Sequence, residues 1–150
     1  MKILNKIIVI FMLSSCGYSP IHYSGNSDFS IIEIATDNKN QITREINNGL
    51  KPYKNLVGKN RFYELKISAK TQKISIAKDT RGNVKTYEMK SSLKLQIYEN
   101  DEIIKTKEFV ESFSYTNENN KFKLKKYENT IKKNLINKIL ENLILELYTL

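Results

Sequence analysis

The side chain with the most specific chemistry in this 150-residue chain is its only cysteine, Cys16. Without a second thiol the chain cannot form an internal disulfide, so the sulfur is free for another reaction. Ser14 and Ser15 precede it, and a small-residue context of this kind is where a precursor is cleaved and a thiol is acylated. We therefore predict that Cys16 carries covalent lipid such as palmitate, and we expect no other cofactor.

The segment before Cys16 has the layout of a secretory signal peptide. Lys2 and Lys6 give a positive start, and the apolar run 7–13 is far shorter than the roughly 20 residues that a membrane-spanning helix needs. Leu13-Ser14-Ser15-Cys16 looks like a bacterial lipobox, and an ordinary signal peptide with an incidental cysteine is the alternative. Each buried methylene contributes about 0.8 kcal/mol, so several acyl chains hold a protein on a membrane.

These features predict a signal peptide at 1–15 and an acylated N-terminus with a flexible tether at 16–28. Gly17 follows the cysteine where an Asp would favour retention at the inner membrane. We therefore expect a lipid-anchored protein at the outer membrane of a Gram-negative cell, on its periplasmic side. An export signal also contradicts a nucleic-acid partner, in spite of the formal net charge of +9.

A second group of chemically active residues is cationic. Arg81 lies in the turn-forming sequence 79–83, and four lysines interleave with apolar residues at the start of a C-terminal helical pattern: Lys121, Lys123, Lys125 and Lys126. Cations at a helix N-terminus oppose the helix dipole, so this placement favours an anionic ligand over stability. Arginine and lysine bind phosphate and carboxylate strongly. A solvated lysine run is the alternative.

Apolar periodicity predicts the elements that position these residues. Strands are expected near 29–35, 61–78, 87–97 and 102–116. A short helix carries Ile42, Ile46 and Leu50, and a long one carries an apolar stripe from Ile131 to Leu147. The predicted fold is α+β: a two-layer α/β sandwich of order β-α-β-β-β-α, with a four-stranded mixed sheet and both helices packed on one face. For the long helix, binding to a membrane surface is the alternative to packing on the sheet.

Several local details are also predicted. Thr36 and Asp37 are expected to cap the first helix, and Gly49 and Pro52 to end it. The apolar parity changes between Ala69 and Ile74, which predicts a bulge at 71–73.

The topology then places charge at one pole. Antiparallel pairing brings the end of the fourth strand to the same sheet edge as Arg81, and the last helix begins just beyond it. A right-handed, parallel first crossover starts strand one at the opposite edge. The tether and the basic end are therefore expected at opposite poles.

Catalysis is not expected. The one histidine, His22, lies alone in the tether, no metal-ligand cluster is evident, and no glycine-rich phosphate loop is present in the sequence. The protein is therefore predicted to act by binding.

Two segments resemble the LptE family, the lipopolysaccharide-assembly lipoproteins of Gram-negative bacteria. "SSCGYSPIHY" is similar to that family's lipobox and the segment after it, and "ISIAKDTRGNVKTYEM" is similar to its second and third strands with their turn. The order of elements also fits, so the resemblance spans the chain and implies a single LptE-like domain at 29–150.

The resemblance implies a function in envelope biogenesis. It implies a 1:1 complex in which this chain plugs an LptD-type outer-membrane β-barrel, assists its assembly and delivers lipopolysaccharide to the outer leaflet. It implies that Arg81 binds lipopolysaccharide together with a residue near the start of the last helix, for which Lys125 is the closest match and Lys123 or Lys126 are alternatives. A generic periplasm-facing lipoprotein that binds another assembly factor or anionic lipid, without a barrel, is the rival interpretation.

Overall fold

The computed structural model describes residues 27–150. The predicted signal peptide (1–15), Cys16, His22 and the rest of the tether up to residue 26 lie outside the described residues. Within 27–150, no helix is both long enough and apolar enough to span a bilayer. The same range holds no group of side chains suited to binding a metal ion.

The elements along the chain are β1 (Phe29–Thr36), α1 (Gln41–Leu50), a 3-10 helix (Lys51–Tyr53), β2 (Arg61–Lys78), β3 (Val84–Glu99), β4 (Glu102–Thr116) and α2 (Lys121–Tyr148). The four strands form one sheet in the order β1-β2-β3-β4, with β1 parallel to β2 and the other neighbours antiparallel. The helices α1 and α2 pack on one of its faces, so the predicted α+β sandwich is confirmed.

The core lies between the helices and the alternating apolar positions of the sheet. On β3, Leu93, Leu95 and Ile97 are fully buried, whereas the intervening Lys94 is exposed. A strand with one dry and one wet face is what an antiparallel sheet covered on one side requires. The stripe on α2 meets this dry face, as predicted, through Ile131, Leu135, Ile136, Ile139, Leu140, Leu143, Ile144 and Leu147.

The C-terminal half of α2 is also held by charge. Glu146 is buried, and its carboxylate pairs with the ammonium groups of Lys105, at 2.5 Å, and Lys107 on β4. Burial raises the pKa of Glu146, but the hydrogen bonds from the two lysines outweigh it and leave this pKa below its ordinary value. The buried charge is thus paired rather than isolated, which is the condition under which burial is tolerated.

The cap predicted for α1 at Thr36 and Asp37 is wrong. Asn40 is the N-cap: its side chain accepts a hydrogen bond from the Thr43 N–H at 3.0 Å, and the Thr43 hydroxyl accepts one from the Asn40 N–H. The amides of Asn38 and Asn40 also donate to the carbonyl of Ala69 on β2. The pairing of β1 with β2 ends at Ile67, so no backbone N–H of β1 is available to the carbonyl of Ala69. The two side-chain amides donate to this carbonyl instead.

The bulge predicted at 71–73 is also wrong. The β2–β3 register is regular from Glu64 to Ser75, and the irregularity lies between Ser75 and Lys78. The alternation of apolar residues changes here because the positions that face the helices are occupied by polar residues. The Thr71 hydroxyl forms a hydrogen bond with the Ser91 hydroxyl at 2.8 Å, and the Lys73 ammonium pairs with a carboxylate on α2. Ile74 consequently lies on the open face of the sheet and is exposed.

Gly49 does not end α1, which continues to Leu50. A Cβ added at Gly49 would lie 2.1 Å from a terminal methyl of Leu140 on α2. A larger residue at this position would force the Leu140 side chain to move, so glycine suits the close approach of the two helices. Pro52 does follow the helix, within the 3-10 turn.

Candidate anionic-ligand site

The turn between β2 and β3 holds Arg81 at its tip. The Asp79 carboxylate accepts hydrogen bonds from the N–H groups of Arg81 (2.9 Å) and Asn83 (2.8 Å), and Gly82 adopts φ +83°, which glycine tolerates best. These hydrogen bonds, with Asn83 the largest cause, hold the pKa of Asp79 below its ordinary value. The turn is thus fixed by its own side chains. Arg81 is exposed, and its guanidinium forms no ion pair within residues 27–150.

The first turns of α2 form the second cationic group. Asn120 is the N-cap and accepts from the Lys123 N–H at 3.1 Å, and the first turn contains no acid. Phe122 is 80 % exposed. The lysines of this segment are all exposed, and none forms an ion pair with any described residue: Lys121, Lys123, Lys125 and Lys126. The arrangement leaves cationic and aromatic groups side by side in solvent.

Hydrogen bonds from Asn117 bring the two cationic groups to one end of the sheet. Its N–H donates to the carbonyl of Lys85 at 2.7 Å, and its side-chain amide donates to the carbonyl of Val84 at 2.8 Å. The link between β4 and α2 therefore lies against the first residues of β3. Arg81 is four residues before Lys85, which limits their separation to about 14 Å.

The lysines of α2 lie on different sides of the helix. Lys125 precedes Glu128 and Lys132 by three and seven residues, so the three share one side. Glu128 contacts β2 and Lys132 contacts α1, which places Lys125 on the side toward β2 and its turn. Lys123 precedes Tyr127 by one turn, on the side toward β4. Of the three predicted lysines, Lys125 is therefore the one on the side of α2 that faces β2 and α1.

One carboxylate that sequence reasoning missed positions the basic end. Glu128 accepts from the Lys73 ammonium at 2.6 Å and from the Tyr115 hydroxyl at 2.9 Å through the same oxygen. The Lys73 ammonium also lies 3.7 Å from the centre of the Tyr87 ring. Burial, followed by the bond to Glu128, raises the pKa of Tyr115 above its ordinary value. Strands β2, β3 and β4 are thus all connected to α2 at this point. The feature of the sequence that could have revealed Glu128 is that this acid lies between Leu124 and Ile131, within the apolar stripe of the helix.

The chain enters the domain at the opposite pole. Phe29 pairs with Arg61 at the start of β2, and Asp28 forms an ion pair with Arg61 at 2.5 Å. From there β2 runs to Lys78, a length of about 55 Å at the usual rise per residue. The prediction that strand one starts at the edge opposite to Arg81 is therefore confirmed, whereas most of the tether lies outside the described residues.

The chain has the fold of small bacterial lipoprotein domains. It is similar to rare lipoprotein B from Shewanella oneidensis (13 % identity, 78 % of this chain and 96 % of that one, TM-score 0.60). It is also similar to uncharacterized lipoprotein B from Nitrosomonas europaea (11 %, 83 % and 87 %, TM-score 0.65) and to a minor lipoprotein from Acinetobacter baumannii (9 %, 80 % and 91 %, TM-score 0.61). Identities this low establish the fold alone. No model of a protein family matches the sequence, and no curated protein matches it significantly.

Replacing Glu128 tests whether it fixes the start of α2. Glu128→Ala is expected to lower the free energy of unfolding by about 2 kcal/mol, because two hydrogen bonds to a charged group are lost and the Tyr115 hydroxyl is left buried. Urea denaturation measures the loss, and amide exchange should accelerate chiefly in 121–130. Glu118→Ala, at an exposed acid that forms no ion pair within 27–150, is the control and should change stability by less than about 0.5 kcal/mol. Equal effects of the two substitutions would contradict the assignment.

Proposed function

We propose that this protein is an outer-membrane lipoprotein, acylated on Cys16, that binds lipopolysaccharide at its basic end and plugs an LptD-type β-barrel. It acts by binding, without catalysis, and delivers lipopolysaccharide to the outer leaflet. The observation that carries the proposal is the polarity of the domain, whose chain enters at one end of β2 while Arg81 and the lysines of α2 lie toward the other. The shared lipoprotein fold and the resemblance to the LptE family support it.

The chemistry of the basic end suits a phosphorylated amphiphile. Arg81 offers a planar guanidinium for bidentate contact, and Lys125 offers a point charge on the side of α2 toward that turn. Their charges are not neutralised by ion pairs within the described residues. The exposed ring of Phe122 adds apolar surface beside them. Lipopolysaccharide presents phosphate groups next to acyl chains, which matches this combination.

The open face of the sheet suits a polar barrel lumen. It carries Glu88, Lys90, Lys94 and Gln96 on β3, and the interiors of outer-membrane barrels are polar. Ile74 and Val110 are exposed on the same face, so the surface that it would present to a barrel wall is mainly polar with isolated apolar side chains.

Removing two charges tests the lipopolysaccharide site. Arg81→Gln with Lys125→Gln is expected to weaken lipopolysaccharide binding about tenfold, because two charge-assisted contacts to phosphate are lost. The matched control is Lys51→Gln with Lys94→Gln, which removes the same charge from two exposed positions away from the basic end. Binding is measured by displacement of a fluorescent lipopolysaccharide, with circular dichroism to verify folding. Equal weakening in both pairs would show attraction by net charge alone and contradict the site.

Affinity purification tests the barrel partner. The full chain, tagged at its C-terminus and purified from detergent-solubilised membranes, is expected to bring down one large β-barrel protein in stoichiometric amount. The variant Cys16→Ser, exported with a conventional signal peptide in place of its own, should reach the periplasm but lose membrane attachment. Recovery without a barrel, or with a different assembly factor, would contradict the plug and favour the generic lipoprotein.

A further inference from the structure

A narrow groove separates α2 from the edge strand β4. Its volume is about 110 Å³, and it is lined by Phe113, Tyr127, Thr130, Ile131, Asn134 and Leu135. Ile131 and Leu135 form a buried floor. Phe113 and Tyr127 remain 47 % and 46 % exposed. The groove is therefore an apolar surface with two aromatic rings left uncovered.

The exposure of Phe113 is unusual for its position. In the β3–β4 register it pairs with Met89 and lies on the same face of β4 as Phe109 and Tyr115. Those two neighbours are buried beneath α2 or against its side chains, whereas Phe113 is not. Phe109 and Tyr115 are thus covered, whereas Phe113 between them is open to solvent at the groove.

Charge is distributed unequally along the groove. Lys123 precedes Tyr127, and Lys126 precedes Thr130, each by one helical turn, so both lysines lie toward one end of the groove. They are exposed and form no ion pair within residues 27–150. At the other end, Lys138 is neutralised by Glu111 at 2.8 Å. The groove is therefore mainly apolar, with Thr130 and Asn134 in its lining, and positive at one end.

We propose that this groove binds one alkyl chain of an anionic amphiphile, with the head group at Lys123 and Lys126. A volume well below the 300–1,000 Å³ of an ordinary ligand pocket suits a thin chain segment rather than a ring system. An anionic head group complements the two unpaired ammonium groups, and the chain covers both rings. The inference rests on the proposed function for the identity of the natural amphiphile, lipopolysaccharide, and assigns its acyl chain a site separate from Arg81 and Lys125.

The absence of tryptophan from the sequence makes the test direct. The variant Phe113→Trp, in the full chain, places one fluorophore in the groove and is the groove reporter. The variant Val110→Trp is the control reporter, because Val110 is 46 % exposed on the same strand but lies on the opposite face of the sheet. Dodecyl phosphate below its micelle concentration is expected to shift the emission of the groove reporter to shorter wavelength in a saturable manner. The control reporter should not respond.

Two further variants, each made in the Phe113→Trp background, test the groove and its charge. Thr130→Phe narrows the groove and should weaken dodecyl phosphate binding about tenfold. Lys123→Gln with Lys126→Gln should weaken dodecyl phosphate by a similar factor but leave binding of the uncharged dodecyl maltoside unchanged. Equal responses of the groove reporter and the control reporter, or unchanged dodecyl phosphate binding in Thr130→Phe, would overturn the proposal. So would an unchanged affinity for dodecyl phosphate after removal of the two lysines.

The outcomes separate this inference from the proposed function. Arg81→Gln with Lys125→Gln should leave the response of the groove reporter to dodecyl phosphate within about twofold, because those side chains are not at the groove. If that pair weakens lipopolysaccharide binding while the groove reporter never responds, the groove is wrong and the proposed function stands. If the groove reporter responds while lipopolysaccharide binding is absent, the groove stands and the proposed function fails.

Discussion

The arrangement of the basic end depends on the partly buried carboxylate of Glu128. Its contacts with Lys73 and Tyr115 join the first turns of α2 to β2 and β4, and the Lys73 ammonium carries the connection to Tyr87 on β3. A carboxylate in this position is costly to bury without partners, so it is stable only when the helix and the strands are correctly placed together. The same interaction therefore fixes the first turns of α2, with their lysines, over the end of the sheet that leads to the β2–β3 turn.

The two halves of α2 differ in how they cover the sheet. The C-terminal half packs fully, with its apolar stripe in the main core and Glu146 paired to two lysines of β4. The N-terminal half contributes to a smaller cluster with Met89 and Tyr115, and it leaves Phe113 and Tyr127 uncovered beside β4. Stability is thus concentrated in the half nearer the entry of the chain, whereas cations and exposed aromatic groups are concentrated in the other half.

Much of this fold could be predicted because its periodic patterns are strong. The strict alternation on β3 and the stripe from Ile131 to Leu147 each allow one orientation only. The turn at Asn100 and Asp101, both with positive φ, is a two-residue hairpin of the kind those residue types favour. Antiparallel pairing then predicted that the end of β4 lies at the same sheet edge as the turn that holds Arg81. The β3–β4 register confirms this, because Thr116 at the end of β4 pairs with Thr86 near the start of β3.

The rest could not be predicted from local sequence because it depends on contacts between distant elements. The polar residues Thr71 and Lys73 were interpreted as a change in which side chains face the helices. Their partners, Ser91 and Glu128, are distant in the sequence, so local sequence does not show that both residues keep the helix-facing orientation. Gly49 was interpreted as a helix terminator, because the sequence does not show that this position lies against Leu140 on another helix. The groove was missed for the same reason: β4 has mixed parity, and only the position of α2 shows that Phe113 is uncovered.

The most direct test of the account is a pair of distances within the full chain. In the Cys16→Ser background, cysteines introduced in pairs at Asn83 and Asn119, or at Asn83 and Asn60, are the only thiols and accept spin labels for pulsed electron resonance. We expect a narrow distribution of distances below about 30 Å between residues 83 and 119, and one centred at about 55 Å between residues 83 and 60. A broad or long distribution for the first pair, or similar distances for both pairs, would contradict a domain with its cations gathered at the pole opposite to its entry.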